Sequence, residues 1–367
     1  MKKEKGFAAF GEVMLRLGAP DRLRLVQTLP GELVATYGGG EANVCVALAA
    51  LGVYCRFLSV LPDNPMTQAL VAELRRYNVD TTHLELGAPG RLGLYFLEQG
   101  ANQRGSGVWY DRENSAIALK PAKEYNFDSM LEGVEHLHLT GITPALSRNA
   151  FDATLALARR AAEMGCTVSC DLNFRKKLWN WEPGTPKTEL AKRCMTQIVS
   201  YADWIIGNEA DAADVFGIRP ATGDCETGKL DISGYQEVAA SLVSMFPKAS
   251  KIAFTLRGSV SADYNEWGGM LYDCRTGQCR FAPCDANGNY VPYAIRDIVD
   301  RFGGGDSFSA GLVYALHDPE LAALDTAVGF AAAASCLKHS IFGDFNLISK
   351  SDVLTLMKGN GSGRVVR

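Results

Sequence analysis

The second half of the chain alternates short strand-like segments with longer segments in which apolar residues recur every three or four positions. Residues 136–140 and 167–172 have the length and composition of buried strands, and residues 149–164 between them have helical spacing. Further strand-like segments follow at residues 204–207, 252–256 and 269–273. Strands that alternate with helices build a mostly parallel sheet with helices on both faces. The pattern therefore predicts an α/β fold.

The first half of the chain predicts the same architecture. Residues 7–17 and 54–60 read as strands, and residues 41–51 and 66–77 have helical spacing. Because the alternation begins near residue 7 and continues along the sequence, we predict a single domain that spans residues 1–367.

The alternation of strands and helices is interrupted at residues 91–117. Two strand-like segments, 92–98 and 107–111, are joined there by a polar turn. Residues 21–37 lack a helical period and fit a short pair of strands. We predict that a small β-sheet forms from about residues 12–37 and 91–117.

Composition excludes several classes of partner. The chain is 47% hydrophobic and 21% charged, which is ordinary for a globular protein. Its net charge of −4 gives no electrostatic reason to expect nucleic acid or an anionic membrane surface as a partner. The uncharged stretch at residues 327–337 is too short to cross a bilayer, which takes about 20 apolar residues. We therefore expect neither nucleic acid nor a membrane as a partner.

The N-terminus and the cysteines favour a cytoplasmic protein. A basic start resembles a signal peptide, but Glu12 and Arg16 interrupt the apolar stretch and no small-residue cleavage site follows. Several of the ten cysteines lie in apolar patterns, where a thiol acts as a small hydrophobe. The even spacing of Cys274, Cys279 and Cys284 lacks the close pair of a structural zinc site, so we expect no metal there.

The segment with the clearest chemistry is a run of three glycines and an aspartate, Gly303, Gly304, Gly305 and Asp306, between a strand end and a helix. Glycines let several backbone N–H groups point at one spot, and the helix N-terminus adds partial positive charge there. Asp306 is a poor phosphate ligand in that place but a good proton acceptor for a hydroxyl that is being phosphorylated. This combination is what a small-molecule kinase needs.

The alternative interpretation of the same run is a purely structural turn. Glycine-rich turns between strand and helix are common in α/β proteins, and aspartate is a frequent N-cap residue. The run is not a Walker P-loop, because no Gly-Lys-Ser/Thr follows. It is not a dinucleotide-binding fingerprint either, because the glycine spacing differs and the segment lies late in the chain.

Residues 300–306 resemble the C-terminal signature of the ribokinase-like (PfkB) carbohydrate kinases. That signature is roughly Asp-Thr-x-Gly-Ala-Gly-Asp, so Arg301 replaces the threonine and Gly304 replaces the alanine. Residues 38–52 are similar to the N-terminal signature of the same family, and the two signatures occur in the family's order.

The resemblance implies a three-layer α/β/α sandwich with a mostly parallel sheet and a small β-sheet lid that closes over the sugar. It also implies ATP and Mg²⁺ as cofactors, and in-line transfer of a phosphoryl group to a sugar hydroxyl. Asp306 would be the catalytic base, and the N–H groups of Gly303, Gly304 and Gly305 would stabilise the moving phosphoryl group. Lid strands of this family often pair between subunits, so a homo-oligomer through the lid is expected.

The substrate is indicated by two arginines. Arg175 follows the strand at 167–172, and Arg112 follows a strand of the predicted lid. Each alone fits a solvated surface residue, but together they could converge on a carboxylate, which the guanidinium fork matches. These segments are similar to those of kinases that act on 2-keto-3-deoxygluconate. By that resemblance the sugar acid would contact Gly39, Tyr95, Tyr110, Arg112, Arg175 and Asp306.

The resemblance also assigns the nucleotide and metal side. The residues implied beside ATP are Asn173, Arg175, Thr255, Arg257, Gly258, Gly303 and Gly305. The family's Asn-x-x-Glu element, associated with magnesium, occurs here as residues 208–211. Asp211 takes its final position, while Glu209 is an open alternative, and one or two carboxylates suffice for Mg²⁺.

We therefore expect an ATP-dependent kinase that phosphorylates the terminal hydroxyl of 2-keto-3-deoxygluconate to give 2-keto-3-deoxy-6-phosphogluconate. A kinase of a neutral ketose such as fructose is the first alternative, and a non-catalytic sugar sensor is the second. The gluconate and galactonate epimers of the substrate are not distinguished by these residues.

Overall fold

A computed structural model describes residues 6–220 and 232–359. The strands are β1 (Gly6–Phe10), β2 (Met14–Gly18), β3 (Val34–Gly38), β4 (Cys55–Leu61), β5 (Val79–Asp80), β6 (Leu84–Leu86), β7 (Gly93–Glu98), β8 (Gly107–Asp111), β9 (Val134–Thr140), β10 (Thr167–Asp171), β11 (Trp204–Gly207), β12 (Lys251–Ser259), β13 (Tyr264–Asp273), β14 (Cys279–Ala282) and β15 (Tyr293–Arg296). The helices are α1 (Leu25–Thr28), α2 (Gly40–Ala50), α3 (Pro65–Arg76), α4 (Ala116–Leu119), α5 (Phe127–Leu131), α6 (Arg148–Glu163), α7 (Lys187–Val199), α8 (Glu209–Phe216), α9 (Ile232–Met245), α10 (Gly304–His317), α11 (Leu324–Lys338) and α12 (Lys350–Met357).

The main sheet has the strand order β14-β13-β12-β11-β10-β9-β1-β4-β5, with β15 paired to β13 and β6 paired to β4. Neighbours from β12 through to β5 are parallel, and β13 pairs with its neighbours antiparallel. A parallel sheet needs a crossover between successive strands, and helices supply most of these crossovers here. The predicted mostly parallel α/β fold is confirmed.

Helices cover both faces of the main sheet. Successive side chains of β1 point alternately into the two cores that these helices form with the sheet. Ala8 and Phe10 pack into the core that includes residues of α6 and α7. Phe7 and Ala9 point the other way, into the core that includes residues of α2 and α3. Successive strand side chains face opposite sides of a sheet, so two cores on one strand define three layers.

A separate small sheet has the order β3-β2-β7-β8. We call β2, β3, β7 and β8 the small sheet. The single strand predicted at residues 7–17 is wrong, because the chain leaves the main sheet after β1 and enters the small sheet as β2. The break falls where the chain passes α2 closely: a Cβ on Gly11 would lie 2.1 Å from Cδ of Glu41. The predicted strand pair at residues 21–37 is also wrong, since α1 precedes the one strand there, β3.

Among the described residues, no helix is both long enough and apolar enough to span a membrane.

Candidate active site

A large cleft of about 600 Å³ lies where β10 and β11 end and α10 begins. Ligands of open α/β sheets bind at the carboxyl ends of the strands, so this is the expected place for a site. The cleft is lined by Asp171, Asn173, Arg175, Ile206, Gly207, Asn208, Ala210, Asp211, Thr255, Arg257, Ser259, Trp267, Arg301, Phe302, Gly303, Gly304, Gly305 and Asp306.

The glycine turn (residues 303–305) forms one wall of the cleft. Gly303 is the N-cap of α10 with φ 77° and ψ 4°, and a Cβ there would lie 2.1 Å from the carbonyl oxygen of Asp344. Only glycine fits that left-handed, crowded position. A Cβ on Gly305 would meet nothing within 4 Å, so this residue faces open space. The first N–H groups of a helix lack intrahelical acceptors, so the turn presents donors suited to an anion.

Asp306 lies in the first turn of α10. Its Oδ2 accepts a hydrogen bond from Nδ2 of Asn43 at 2.6 Å, and Oδ1 of Asn43 accepts the N–H of Gly39 at 3.2 Å. Burial, together with repulsion from Asp344, raises the pKa of Asp306 to about 6, although Asn43 and nearby cations oppose the shift. A carboxyl with this pKa is mostly ionised at pH 7 and is a better base than an ordinary aspartate.

This pKa predicts a pH profile. Only the ionised form of Asp306 can accept a proton, so activity should be lost as pH falls through about 6 and reach a plateau above it. The pH dependence of kcat/KM, measured from pH 4.5 to 8, checks this. Full activity at pH 4.5 would contradict the assignment of Asp306 as the base.

A smaller pocket of about 90 Å³ adjoins the cleft. Both cavities are lined by Asn173, Arg175, Phe302, Gly303 and Asp306. The smaller pocket is further lined by Glu12, Met14, Gly38, Gly39, Gly40, Asn43, Tyr95, Tyr110, Arg112, Ile142 and Asp344. All six residues predicted to contact the sugar therefore lie around one pocket, with Asp306 at its junction with the cleft.

Glycine at position 39 is explained by close packing. A Cβ there would lie 2.2 Å from the carbonyl oxygen of Glu12, on the loop between β1 and β2. With glycine present, α2 begins directly against that loop, which places Asn43 against Asp306. The N-terminal signature thus positions the hydrogen-bond donor of the candidate base.

Arg112 is buried at the small pocket, 7% exposed, and its Nη2 contacts the carboxylate of Glu12. The aromatic ring of Tyr110 lies 5.3 Å from the guanidinium carbon. Among the described residues, Nε of Arg112 has no hydrogen-bond partner. One edge of the guanidinium is therefore held by Glu12, and further donors remain for a ligand.

Arg175 is exposed and forms no ion pair with any described residue. It follows Asn173, whose φ of 34° is a left-handed conformation that asparagine tolerates better than most residues. This turn directs the chain across the junction of the two cavities. Arg175 can therefore meet an anion from either side.

Of the β12 residues predicted to lie beside ATP, two line the cleft and one does not. Thr255 and Arg257 line the cleft, whereas Gly258 does not. Gly258 lies within β12 and pairs with Glu266 of β13, and a Cβ on it would face that side chain at 3.1 Å. The segment is a strand of an antiparallel pair, which directs alternate residues away from the cleft.

Asp211, predicted to serve Mg²⁺, caps α8. Its Oδ2 accepts the N–H of Asn208 at 3.1 Å and its Oδ1 accepts the N–H of Phe174 at 2.9 Å. Asp171 lies beside it, and burial with repulsion from Asp211 and Asp306 raises the pKa of Asp171 to about 8. A carboxyl with that pKa is mostly protonated at pH 7, so binding of Mg²⁺ would release its proton; as carboxylates, the two side chains are hard oxygen donors that suit Mg²⁺. The side chain of Glu209, the alternative ligand, lies outside the described residues.

Three acidic residues that line the site were missed by the sequence reasoning: Glu12, Asp171 and Asp344. Glu12 gave a signal, because an acidic residue interrupts an apolar segment there. Asp171 lies at the carboxyl end of the strand predicted at residues 167–172, which was also a usable signal. Asp344 gave no signal in the sequence, since it lies in a loop after α11 and reaches the pocket only through the tertiary structure.

The comparisons with known proteins agree with this geometry. Residues 5–344 match the family model described as pfkB family carbohydrate kinase. The chain belongs to this family. The predicted carbohydrate kinase is thereby confirmed, and residues from both PfkB signatures line the small pocket.

Two of the family's members are similar along nearly the whole chain. The 2-dehydro-3-deoxygalactonokinase of Haloferax volcanii is 28% identical over 96% of this chain and 97% of its own length. The crystal structure of 2-dehydro-3-deoxygluconokinase from Thermotoga maritima is 37% identical, with a TM-score of 0.85 over 96% of this chain and 99% of that one. A fructokinase from Xylella fastidiosa, solved with bound ATP, shares the fold at 20% identity and a TM-score of 0.72, with 97% of this chain and 99% of that one covered.

Proposed function

We propose that this PfkB kinase transfers the γ-phosphoryl group of ATP to the terminal hydroxyl of 2-keto-3-deoxygluconate, giving 2-keto-3-deoxy-6-phosphogluconate. The observation that carries the proposal is the small pocket, which is lined by Asp306, whose pKa is raised, and by Arg112 and Arg175. A sugar acid has a carboxylate at one end, which the arginines can bind, and a hydroxyl at the other, which Asp306 can deprotonate. The names of the two most alike relatives described above point to the same substrate class.

The mechanism assigns a task to each wall of the site. ATP occupies the large cleft, and the sugar acid occupies the small pocket with its terminal hydroxyl at Asp306. Asp306 accepts the hydroxyl proton as the oxygen attacks the γ-phosphorus in line. The N–H groups of Gly303, Gly304 and Gly305 stabilise the negative charge on the transferring group.

The metal side of the proposal uses Asp171 and Asp211, whose carboxyls adjoin each other at the cleft. When bound, Mg²⁺ would supply charge neutralisation for the ATP phosphates. Arg175, at the junction of the cavities, would contact the phosphates or the sugar carboxylate.

Recognition of the carboxylate by Arg112 gives a mutational prediction. Arg112→Ala should raise KM for the sugar acid about 10-fold or more, because a charge-assisted hydrogen bond contributes about 1.5–3 kcal/mol. The KM for ATP should stay nearly unchanged. Steady-state kinetics with each substrate varied in turn check this, alongside thermal unfolding to confirm the variant is folded.

Arg91→Ala is the matched control for Arg112→Ala. Arg91 is another arginine near the small sheet, but it pairs with Asp111 at 2.7 Å on the surface and does not line the pocket. Its substitution should leave the kinetics with the sugar acid within about twofold, as is usual for an exposed pair. If Arg112→Ala behaves like Arg91→Ala, recognition of the carboxylate by Arg112 is wrong.

One observation favours a neutral ketose as the alternative substrate. Because Glu12 already contacts Arg112, that pair carries no net charge toward the pocket. A ketose such as fructose could then use the same donors for hydroxyl groups. Identification of the phosphorylated carbon by ³¹P and ¹³C NMR, after turnover with each sugar, tests the proposed function. Phosphorylation of the sugar acid at its terminal carbon supports it, and phosphorylation of fructose alone refutes it.

The cytoplasmic location and the homo-oligomer through the small sheet remain predictions from the sequence. The choice between the gluconate and galactonate epimers also remains open, since relatives of both names are similar to this chain.

A further inference from the structure

Arg16 belongs to β2 of the small sheet, but its guanidinium binds two carboxylates outside that sheet. Its Nη1 donates to Oδ1 of Asp344 at 2.6 Å, and its Nη2 donates to Oδ2 of Asp300 at 2.6 Å. The rings of Phe302 and Phe342 lie 5.4 and 5.5 Å from its guanidinium carbon. Arg16 is 2% exposed, so this contact is shielded from water and salt.

Asp300 links Arg16 to the glycine turn. Its Oδ1 accepts the N–H of Phe302 at 3.1 Å, and its Oδ2 also accepts the N–H of Gly343 at 3.1 Å. Phe302 directly precedes Gly303, the N-cap of α10. The position of the Asp300 carboxylate therefore sets where the glycine turn begins.

Asp344 links Arg16 to the small pocket. While Oδ1 is held by Arg16, Oδ2 lies on the side of Gly38, where an added Cβ would approach it to 2.4 Å. The carbonyl oxygen of Asp344 also packs against Gly303, where an added Cβ would meet it at 2.1 Å. Asp344 lines the small pocket, so its orientation matters to whatever the pocket binds.

Few nearby groups could replace Arg16 as the cation that binds both carboxylates. Both carboxylates are buried, with side-chain exposures of 0% for Asp300 and 10% for Asp344. A second cation near both carboxylates, Lys338, donates from Nζ to the carbonyl oxygen of Ile341 at 3.0 Å. A planar fork can span two carboxylates at once, which a single ammonium group cannot do.

We propose that Arg16 is a positioning residue that couples the small sheet to the glycine turn and to Asp344. The guanidinium fixes the Asp300 carboxylate, and through it the N–H groups of the turn that receive the transferring phosphoryl group. It also fixes Oδ1 of Asp344, a residue that lines the pocket. The kinetic part of this inference rests on the proposed function, whereas the structural part does not.

The test uses Arg16→Lys, which keeps the positive charge but removes the fork. Hydrogen–deuterium exchange of the peptides spanning residues 299–305 and 341–345 should accelerate about 10-fold or more, because the N–H groups of Phe302 and Gly343 lose a fixed acceptor. Exchange in β9 should not change. With the sugar acid, kcat should fall about 10- to 100-fold, since small displacements of positioning groups are costly. Nucleotide affinity, measured by calorimetry with an ATP analogue, should stay within about threefold.

Arg24→Met is the matched control. Arg24 follows β2 in the chain as the N-cap of α1, and its side chain is 59% exposed and lies 3.6 Å from a carboxylate oxygen of Glu98. It should show the wild-type exchange pattern and kcat. If Arg16→Lys fails to fold, Asp300→Asn gives a second route, because a neutral amide keeps the shape but weakens the contact with Arg16. That variant should show the same faster exchange at residues 341–345.

Two outcomes overturn the coupling. One is a folded Arg16→Lys variant with wild-type exchange in both peptides, and the other is faster exchange without loss of kcat. A wild-type enzyme that is inactive on sugar acids refutes the proposed function instead. The exchange measurement needs no substrate, so it decides the coupling in that case as well.

Discussion

Asp306→Asn should lower kcat by about 10²- to 10⁴-fold, the usual contribution of a general base. Asparagine has nearly the same shape, and its amide oxygen can still accept the hydrogen bond from Nδ2 of Asn43. The fold and the start of α10 should therefore be kept, while the proton acceptor is lost. Steady-state kinetics and thermal unfolding of the same preparation separate the two effects.

Asp325→Asn is the control for this substitution. Asp325 also lies in the first turn of a helix, α11, but it is exposed and does not line the cleft. It removes a charge near a helix N-terminus without touching the site, so kcat should be unchanged. Near wild-type kcat in Asp306→Asn would mean that another group accepts the proton.

Gly303→Ala should lower kcat by about 10²- to 10³-fold, the scale seen when donors to a developing charge are misplaced. Alanine at φ 77° is strained, and its Cβ would lie 2.1 Å from the carbonyl oxygen of Asp344. Either the glycine turn or the loop of Asp344 must move, and both line the small pocket. Kinetics with ATP and the sugar acid each varied should show the loss mainly in kcat.

Gly165→Ala separates local strain from damage to the site. Gly165 follows α6 with φ 79°, but a Cβ on it would meet nothing within 4 Å. Both variants share the backbone strain of about 1–2 kcal/mol, so both should be destabilised. Only Gly303→Ala should lose kcat. Equal kinetics in the two variants would place the phosphoryl group away from the glycine turn.

The sequence predicted those parts of the site that depend on local geometry. The run of glycines before Asp306 needs only a strand, a turn and a helix, and these neighbouring elements follow from hydrophobic spacing. The two arginines were found because each follows a predicted strand. Their convergence on a carboxylate was inferred from those positions, whereas the sugar contacts of Tyr95 and Tyr110 came from the family resemblance.

The other parts of the site depend on packing between residues distant in the chain, which no local sequence pattern encodes. Asp344 reaches the pocket through its contact with Arg16, which is distant in the chain. Glu12 reaches Arg112 because the chain leaves the main sheet after β1, a change of sheet that hydrophobic residues on both sides concealed. Gly258 was assigned to the ATP side by the family resemblance, whereas the structure places it in a strand, paired with Glu266 and away from the cleft.

We expect this kinase to select a sugar acid through the arginines of the small pocket. The most direct measurement is the ratio of kcat/KM for 2-keto-3-deoxygluconate to kcat/KM for fructose, for the wild-type enzyme and for Arg112→Ala. We expect a wild-type ratio far above one that falls about 10-fold or more in Arg112→Ala, because the variant loses a contact that only the acid makes. A wild-type ratio of one or less, or a ratio that Arg112→Ala leaves unchanged, would contradict the claim.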